Sequence, residues 1–366
     1  VTSLGVDRDV TTNETTTLPS RSAVNHTRAV QDSPEPARNP RPRRAIGEHF
    51  SANEFNPVAS IPFFAWHALV PLAFFIPFKW EYVALAAAAF FVRMFGITAG
   101  YHRYFSHRAF KTGRVFQFIL AFIAQMSAQK GVLWWAAHHR HHHRYSDQEE
   151  DLHSPARRGF WWSHVGWILS TRYEATNFAS IKDFARFPEL RWLNKYHLAP
   201  PLLGLVVLYL IGGLPWAFYG GVVSTVLLWH STFTINSLNH IFGSRRYLTT
   251  DTSRNNFWLA LLTMGEGWHN NHHFYQNTAK QGWFWWEVDA TFYVLKVLSW
   301  FGIVSDLRSP SEQTKYSFLK YTDAQRAQLR AETAFHAWRK GPTKPVEPVS
   351  SALPVAALAP ASLLKQ

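Results

Sequence analysis

The chain is expected to be an all-α, polytopic membrane protein: four transmembrane helices in two hairpins beneath a cytosolic helical cap that holds a histidine-rich metal site. Three observations lead there. Long apolar runs are confined to the middle of the 366 residues, three dense histidine clusters flank those runs, and there is no cysteine. The mean hydropathy of −0.16 suggests a soluble protein only because polar ends are averaged with an apolar centre.

A hydrocarbon core about 30 Å thick takes about 20 helical residues. Residues 61–78, 82–101, 198–216 and 218–240 approach or reach that length. Only Lys79, Trp80 and Glu81 separate the first two, and little more than residues 215–217 the last two, so each pair is expected to turn back on itself. Residues 115–135 are also apolar, but Gln117, Gln125, Ser127, Gln129 and Lys130 interrupt them, and this segment is expected to lie at the interface or re-enter.

The ends read differently. Residues 1–57 are rich in Thr, Ser, Asn, Pro and Arg and are expected to be a disordered basic tail, with no apolar run of signal-peptide type. Residues 58–310 form the expected membrane domain. Residues 311–366 are expected to hold a charged soluble helix over 322–340, capped by Thr322 or Asp323, and a Pro/Ala-rich disordered tail.

The 37 Lys and Arg against 24 Asp and Glu leave a formal charge of +13. The basic residues sit before, between and after the hairpins, while the short turns carry almost none. The positive-inside rule then places both termini and the central segment in the cytoplasm. Tryptophans including Trp134, Trp135, Trp161, Trp162, Trp167, Trp283, Trp285 and Trp286 are expected to form an interfacial belt on that side. Nothing in the basic segments matches a nucleic-acid-binding motif, so no nucleic-acid partner is expected.

Without cysteine, the chain offers no disulfide, thiolate-held zinc, iron–sulfur cluster or thiol nucleophile. The histidines fill the gap. His102 and His107 form one cluster, His139, His142 and His143 a second, and His269, His272 and His273 a third. The last two share the spacing H-x-x-H-H, which on a helix is expected to present three imidazoles to a common point. The five-residue step of the first turns about 140° on an α-helix and suits one ligand at a helix end and another just past it. Imidazole does not choose among iron, copper, zinc and nickel, but eight such residues are too many for one ion and enough for two. Asn236 and His240 are four apart at the end of the fourth apolar run, directed toward the same face, and are plausible further ligands. A metal transporter would need ligands at mid-membrane, where only His67, Arg93 and His230 lie.

The segments Gly96 to His107, Trp135 to His143, Arg158 to Trp167, Asn236 to His240 and Gly265 to His273 resemble, in order, those of the membrane fatty acyl desaturases, specifically the stearoyl-CoA Δ9 type. That resemblance covers about residues 55–310. It implies an O2-dependent oxidoreductase with two iron ions held by His102, His107, His139, His142, His143, His240, His269, His272 and His273, with Asn236 reaching one iron through water. His138 and His141 match no ligand position, and His153 and His164 lie outside the ligand set.

The implied reaction inserts a cis double bond at Δ9 of a saturated C16–C18 acyl-CoA. Animal acyl-CoA members carry Arg-Asp before the second cluster where this chain has Ala137 and His138. The carrier therefore stays open between CoA, phospholipid and acyl carrier protein, and a hydroxylase on the same scaffold is the alternative chemistry. Candidate substrate contacts are Gln129, Trp135, Phe91, Arg157 and Arg158. The acyl chain is expected beside the second span, on the His102 face at Thr98, Phe95 and Phe91, with Phe91 limiting its length. No cytochrome b5-type haem segment is present, so electrons are expected from a separate acidic protein, a ferredoxin with its NADPH reductase or a cytochrome b5.

Overall fold

A computed structural model describes residues 55–334; most of the expected amino-terminal tail, and the chain beyond Ala334, lie outside the described residues. Three helical runs are long and apolar enough to cross a bilayer: Pro57–Phe75, Trp80–Ser106 and Ala199–His240. The first comprises α1 (Pro57–Leu69) and the tighter turns Val70–Phe75, which begin beside Pro71. Asn56 caps α1, its side chain accepting from the Ala59 N–H at 3.0 Å, so the last residues of the expected tail already belong to this helix and its cap.

The expected third and fourth spans form one 42-residue run, and the break falls earlier than Pro215. Gly213 has φ +68° and ψ −159°, open in practice only to glycine, and a Cβ on Gly212 would lie 2.0 Å from the Trp216 ring. Gly221 faces Leu205 and Gly220 faces Leu208, so the chain folds back at residues 212–213. This divides it into α7 (Ala199–Trp216, containing the break) and α8 (Ser224–Asn236), linked by widened turns. Tyr219 stacks on Tyr82 and donates to the Ala73 carbonyl at 3.4 Å, which puts this turn beside the one at residues 76–79.

The second run is α2 (Trp80–Phe95), continued by widened turns over Gly96–Ser106. It packs against α3 (Arg114–Gln125) so closely that a Cβ on Gly96 would lie 2.7 Å from the Ala124 backbone nitrogen. At 12 residues α3 is about 18 Å long, short of a span. The chain then turns with positive φ at Ala128 and Lys130 into α4 (Val132–Tyr145). A buried cation ties α2 to α8: Arg93 donates to Thr225 Oγ1 at 2.5 Å and to the Ser224 hydroxyl. His67 and His230 are 2.9 Å apart through Nε2, and His164 in α5 (Phe160–His164) continues the contact at 3.0 Å to His230 Nδ1. These intramembrane polar groups join helices to one another.

The outer helices remain apolar all round, with Leu203, Val206, Leu210, Ile211 and Leu214 of α7 exposed, as a lipid-facing helix requires. The tryptophans divide. Trp161 and Trp285 are exposed at 76% and 88%, as a belt would have them, but Trp134, Trp162, Trp167 and Trp283 are buried. Their burial corrects the belt reading. Trp134, Trp162 and Trp283 donate their indole N–H to the Tyr173, Leu152 and Lys280 carbonyls, which lets them enter the interior.

Between α4 and α7 runs α6 (Pro188–Lys195). Beyond α8 come α9 (His269–Phe274) and α10 (Ala290–Trp300). A two-stranded antiparallel ladder, β1 (Lys111–Thr112) with β2 (Val304–Ser305), pairs Lys111 with Ser305 and Thr112 with Val304. The final described helix, α11 (Asp323–Thr333), has Thr322 and Gln325 as a capping box. Arg254 donates to the Glu332 and Thr333 carbonyls, so α11 packs on the 245–254 loop.

Candidate metal centre

The nine histidines gather in two groups, each with its candidate donor atoms within 4.8 Å of one another. One holds His102, His107, His139, His143 and His272; the other holds His142, His240, His269 and His273. This corrects the expectation that each H-x-x-H-H converges on one point. In α4 the first and last histidines join the five-membered group and His142 the other; in α9 His272 joins the five and the outer two the other. The cause is the helical step of 100° per residue, which turns positions i+3 and i+4 apart while bringing i and i+4 close. Each helix therefore serves both groups, in complementary fashion.

The first cluster needs a departure from the α-helix. In the widened turns ending α2, the His107 N–H donates to the His102 carbonyl at 3.2 Å, an i to i+5 bond that brings the two rings together edge to face. Their centroids are 4.9 Å apart. His240 sits in the short turn Leu238–His240 after α8.

The donor set fits a metal ion. In the larger group the Nε2 atoms of His102 and His272, His272 and His143, His143 and His139, and His139 and His107 are each 2.9 Å apart. Hydrogen bonds satisfy at most two of these four contacts, because each Nε2 has either one hydrogen or one lone pair. Two nitrogens about 2.0–2.1 Å from one ion and at right angles would be about 2.9 Å apart, so a shared ion accounts for all four. In the smaller group His240 and His269 are 3.2 Å apart through Nε2, while Nε2 of His142 and His273 is buried without a hydrogen-bond partner.

Carboxylates hold the outward nitrogens. His142 Nδ1 bonds Asp151 Oδ1 at 2.8 Å and His273 Nδ1 bonds Asp251 Oδ2 at 2.5 Å. His240 Nδ1 lies 3.3 Å from Thr252 Oγ1 and 3.6 Å from Asp147 Oδ2, and His102 Nδ1 pairs with Glu266. Fixing the proton on Nδ1 leaves the Nε2 lone pair for a metal. These four acids were not among the sequence candidates. Asp147 and Asp151 shortly after the second cluster, and Glu266 three residues before the third, were the available signal. His153 also enters this shell: its ring lies 4.2 Å from that of His142, and it can share an ion with His142 and Asp151.

Burial, reinforced by neighbouring imidazoles, holds His107, His139, His143, His269 and His272 well below the ordinary value of 6.5, so they are neutral and able to ligate. Burial also pushes His142 down, but the Asp151 carboxylate outweighs it and the net shift is upward. Burial opposes ionisation of Asp151 and Asp251, yet His142 and His273 beside them bring both below the usual carboxylate range.

A pH dependence follows for the metal-free protein. A group whose pKa falls on folding takes its proton more readily in the unfolded chain. Stability is therefore full above 6.5 and is lost as pH falls below it, toward about 1.4 kcal/mol per pH unit for each such group. His142 works in the opposite sense, one group against these five and against His138, His153 and His273, which burial also lowers. The denaturant midpoint of metal-free protein should fall between pH 7 and pH 5; a flat or rising midpoint would contradict the neutral assignment.

A cavity of about 380 Å³ leads to this centre. His139, His153, Trp134, Trp135 and Trp167 wall its inner end, and α1, α7 and α8 enclose the rest. Of the expected substrate contacts, Gln129 and Trp135 border it, as do Asn236 and His138. Phe91 does not: it is 48% exposed on the outer face of α2. Nor does the Thr98 face, where Thr98 Oγ1 bonds Thr291 Oγ1 of α10 at 2.7 Å; α3 packs on the Gly96 and Gly100 side of the same run. Arg157 and Arg158 are engaged elsewhere, Arg157 with the Asp147 carbonyl at 2.7 Å and Arg158 stacked on Trp162. His141 faces away, its Nε2 2.8 Å from the Glu150 carbonyl.

The sequence model of the fatty acid desaturase family matches residues 78–297, which include every histidine of both groups. The chain belongs to the fatty acid desaturase family. Curated relatives are 32–40% identical to it over the aligned segments. An sn-2 palmitoyl-lipid 9-desaturase of Nostoc sp. is 37% identical over 259 residues, 69% of this chain and 90% of the relative. A palmitoyl-monogalactosyldiacylglycerol delta-7 desaturase of Arabidopsis thaliana is 36% identical over 73% of this chain and 72% of its own. An acyl-CoA 5-desaturase of Anemone leveillei is 36% identical over 65% and 75%. The desaturase relatives thus differ among themselves in carrier and in double-bond position.

Proposed function

We propose that this desaturase introduces a cis double bond between C9 and C10 of saturated C16–C18 acyl chains, with His102, His107, His139, His142, His143, His240, His269, His272 and His273 holding two iron ions. The observation that carries the reading is the pairing of two imidazole groups with one largely apolar cavity that His139 borders. Asn236 would reach one ion through water, a role supported by its position on the wall of the cavity that His139 also borders.

An unactivated methylene C–H bond lies beyond side-chain acid–base chemistry, and bound iron would supply the O2-derived oxidant that breaks it. The balance is one CH2–CH2 unit, O2, two electrons and two protons to one CH=CH unit and two waters. The chain's own residues position the substrate. Trp134, Trp135 and Trp167 line the cavity together with His139, so that one segment of the acyl chain would rest against that ring, and apolar walls exclude bulk water. Asp151, Asp251, Asp147 and Glu266 orient the ligating rings.

The reading includes four spans in two hairpins, supported by the fold-back at residues 212–213, and a cytoplasmic orientation of the metal face and both termini, supported by the placement of basic residues. The electrons come from a separate protein, a ferredoxin or cytochrome b5. Expression in an unsaturated-fatty-acid auxotroph should restore growth and yield monounsaturated C16–C18 chains with Δ9 bonds, located by mass spectrometry. Hydroxylated product without alkene would favour the hydroxylase alternative, and no oxidised product in iron-replete, reductant-supplied cells would defeat the reading.

A further inference from the structure

We propose that the acyl chain enters sideways from the bilayer, still esterified to a membrane glycerolipid, through a portal between the first turns of α1 and α7. This rests on the desaturase reading above and names the substrate class of that site.

The cavity is closed at one end and open at the other. Trp134, Trp167, Trp229, Phe233 and His153 on its inner wall are buried. Ala59 and Pro62 of α1, and Leu198 and Leu202 at the start of α7, border the same cavity yet are exposed, the two leucines at 54% and 55%. Residues that line an internal space and also face outward mark where that space meets the surroundings. Those surroundings are the flanks of two apolar helices of membrane-spanning composition, so the opening faces lipid. One edge is pinned: the Asn56 side chain donates to Glu174 at 2.9 Å and its backbone N–H to the Leu169 carbonyl at 3.1 Å.

The charge of the lining selects among carriers. Among the described residues that line it, Lys130 and Glu174 are the only formally charged ones, and they cancel. Ser60 and Gln129 add neutral polar groups at the level of the first helical turns. That suits a glycerol ester at the membrane interface. Coenzyme A carries three phosphate groups and would need several cations at the entrance; Arg157 and Arg158, the expected pair, are turned to other partners.

Iron-loaded protein, with ferredoxin, its reductase and NADPH, would be compared in two vesicle preparations. One contains saturated-chain phosphatidylcholine, phosphatidylglycerol and monogalactosyldiacylglycerol. The other contains branched diphytanoyl lipid with added stearoyl-CoA. Double bonds should form in the glycerolipid, about tenfold or more faster than in stearoyl-CoA, and Leu202→Trp should slow the lipid reaction by about tenfold or more. Because the chain has no cysteine, Leu202→Cys blocked with a bulky maleimide after folding should do the same, with iron content unchanged. Product from stearoyl-CoA alone, or a lipid rate unaffected by both blocks, would overturn the portal and leave the desaturase reading intact. No product in either preparation would overturn both.

Discussion

His142→Ala should abolish product formation and lower bound iron from two ions toward one, while His141→Ala one position earlier leaves both near wild type. The two residues differ in what they face. His142 is almost wholly buried, its Nδ1 is bound to Asp151, and its Nε2 has no partner in the protein. His141 points outward to the Glu150 carbonyl. Removing His142 leaves the smaller group three imidazoles and strands Asp151 without its ring. Asp151→Asn gives an intermediate case: the ring stays but its anchoring charge goes, and iron affinity should fall about 10–100-fold. Iron is read by elemental analysis of purified protein and product by mass spectrometry, with the thermal transition confirming folding. Full activity in His142→Ala would break the two-group assignment.

Glu266→Ala should destabilise the metal-free protein by about 3–5 kcal/mol, the cost of stranding a buried charge. Arg103 is fully buried, with Nε 3.1 Å and Nη2 2.9 Å from Glu266 Oε1, and Nη1 2.9 Å from Asp289 Oδ1. Asp289 remains in the variant, but the Nε side of the guanidinium has lost its acceptor. The same carboxylate holds His102 Nδ1, so the variant should also bind iron more weakly. Glu266→Gln keeps an acceptor without the charge and should fall between. Denaturant unfolding in detergent, followed by tryptophan fluorescence, measures the first effect. A change below about 1 kcal/mol would mean that Asp289 and the Ala279 carbonyl suffice for Arg103.

These variants separate what was readable along the chain from what was not. Each histidine cluster could be found because metal-ligand spacing on a helix is local. The acids that orient the rings were harder. Asp251 lies 22 residues from His273, and no local period connects them. That the cavity borders neither Phe91 nor Thr98 has no sign in the sequence, because the faces of this run are nearly all apolar and periodicity does not distinguish them. The tryptophans were assigned to a belt because an indole suits an interface equally well when its N–H finds a carbonyl indoors, as Trp162 does with Leu152.

By itself the sequence determined the chemistry available to this protein. Nineteen histidines with no cysteine leave imidazole as the dominant metal donor, and apolar runs of membrane length place it beside lipid. Tertiary structure alone decided how those donors are shared. The 100° helical step sends His142 one way and His139 and His143 the other, but that divergence yields two metal groups only because α9 lies opposite with its own triplet divided in the complementary sense. Helical period is a property of one segment; which face meets which is settled by packing among segments far apart in the chain.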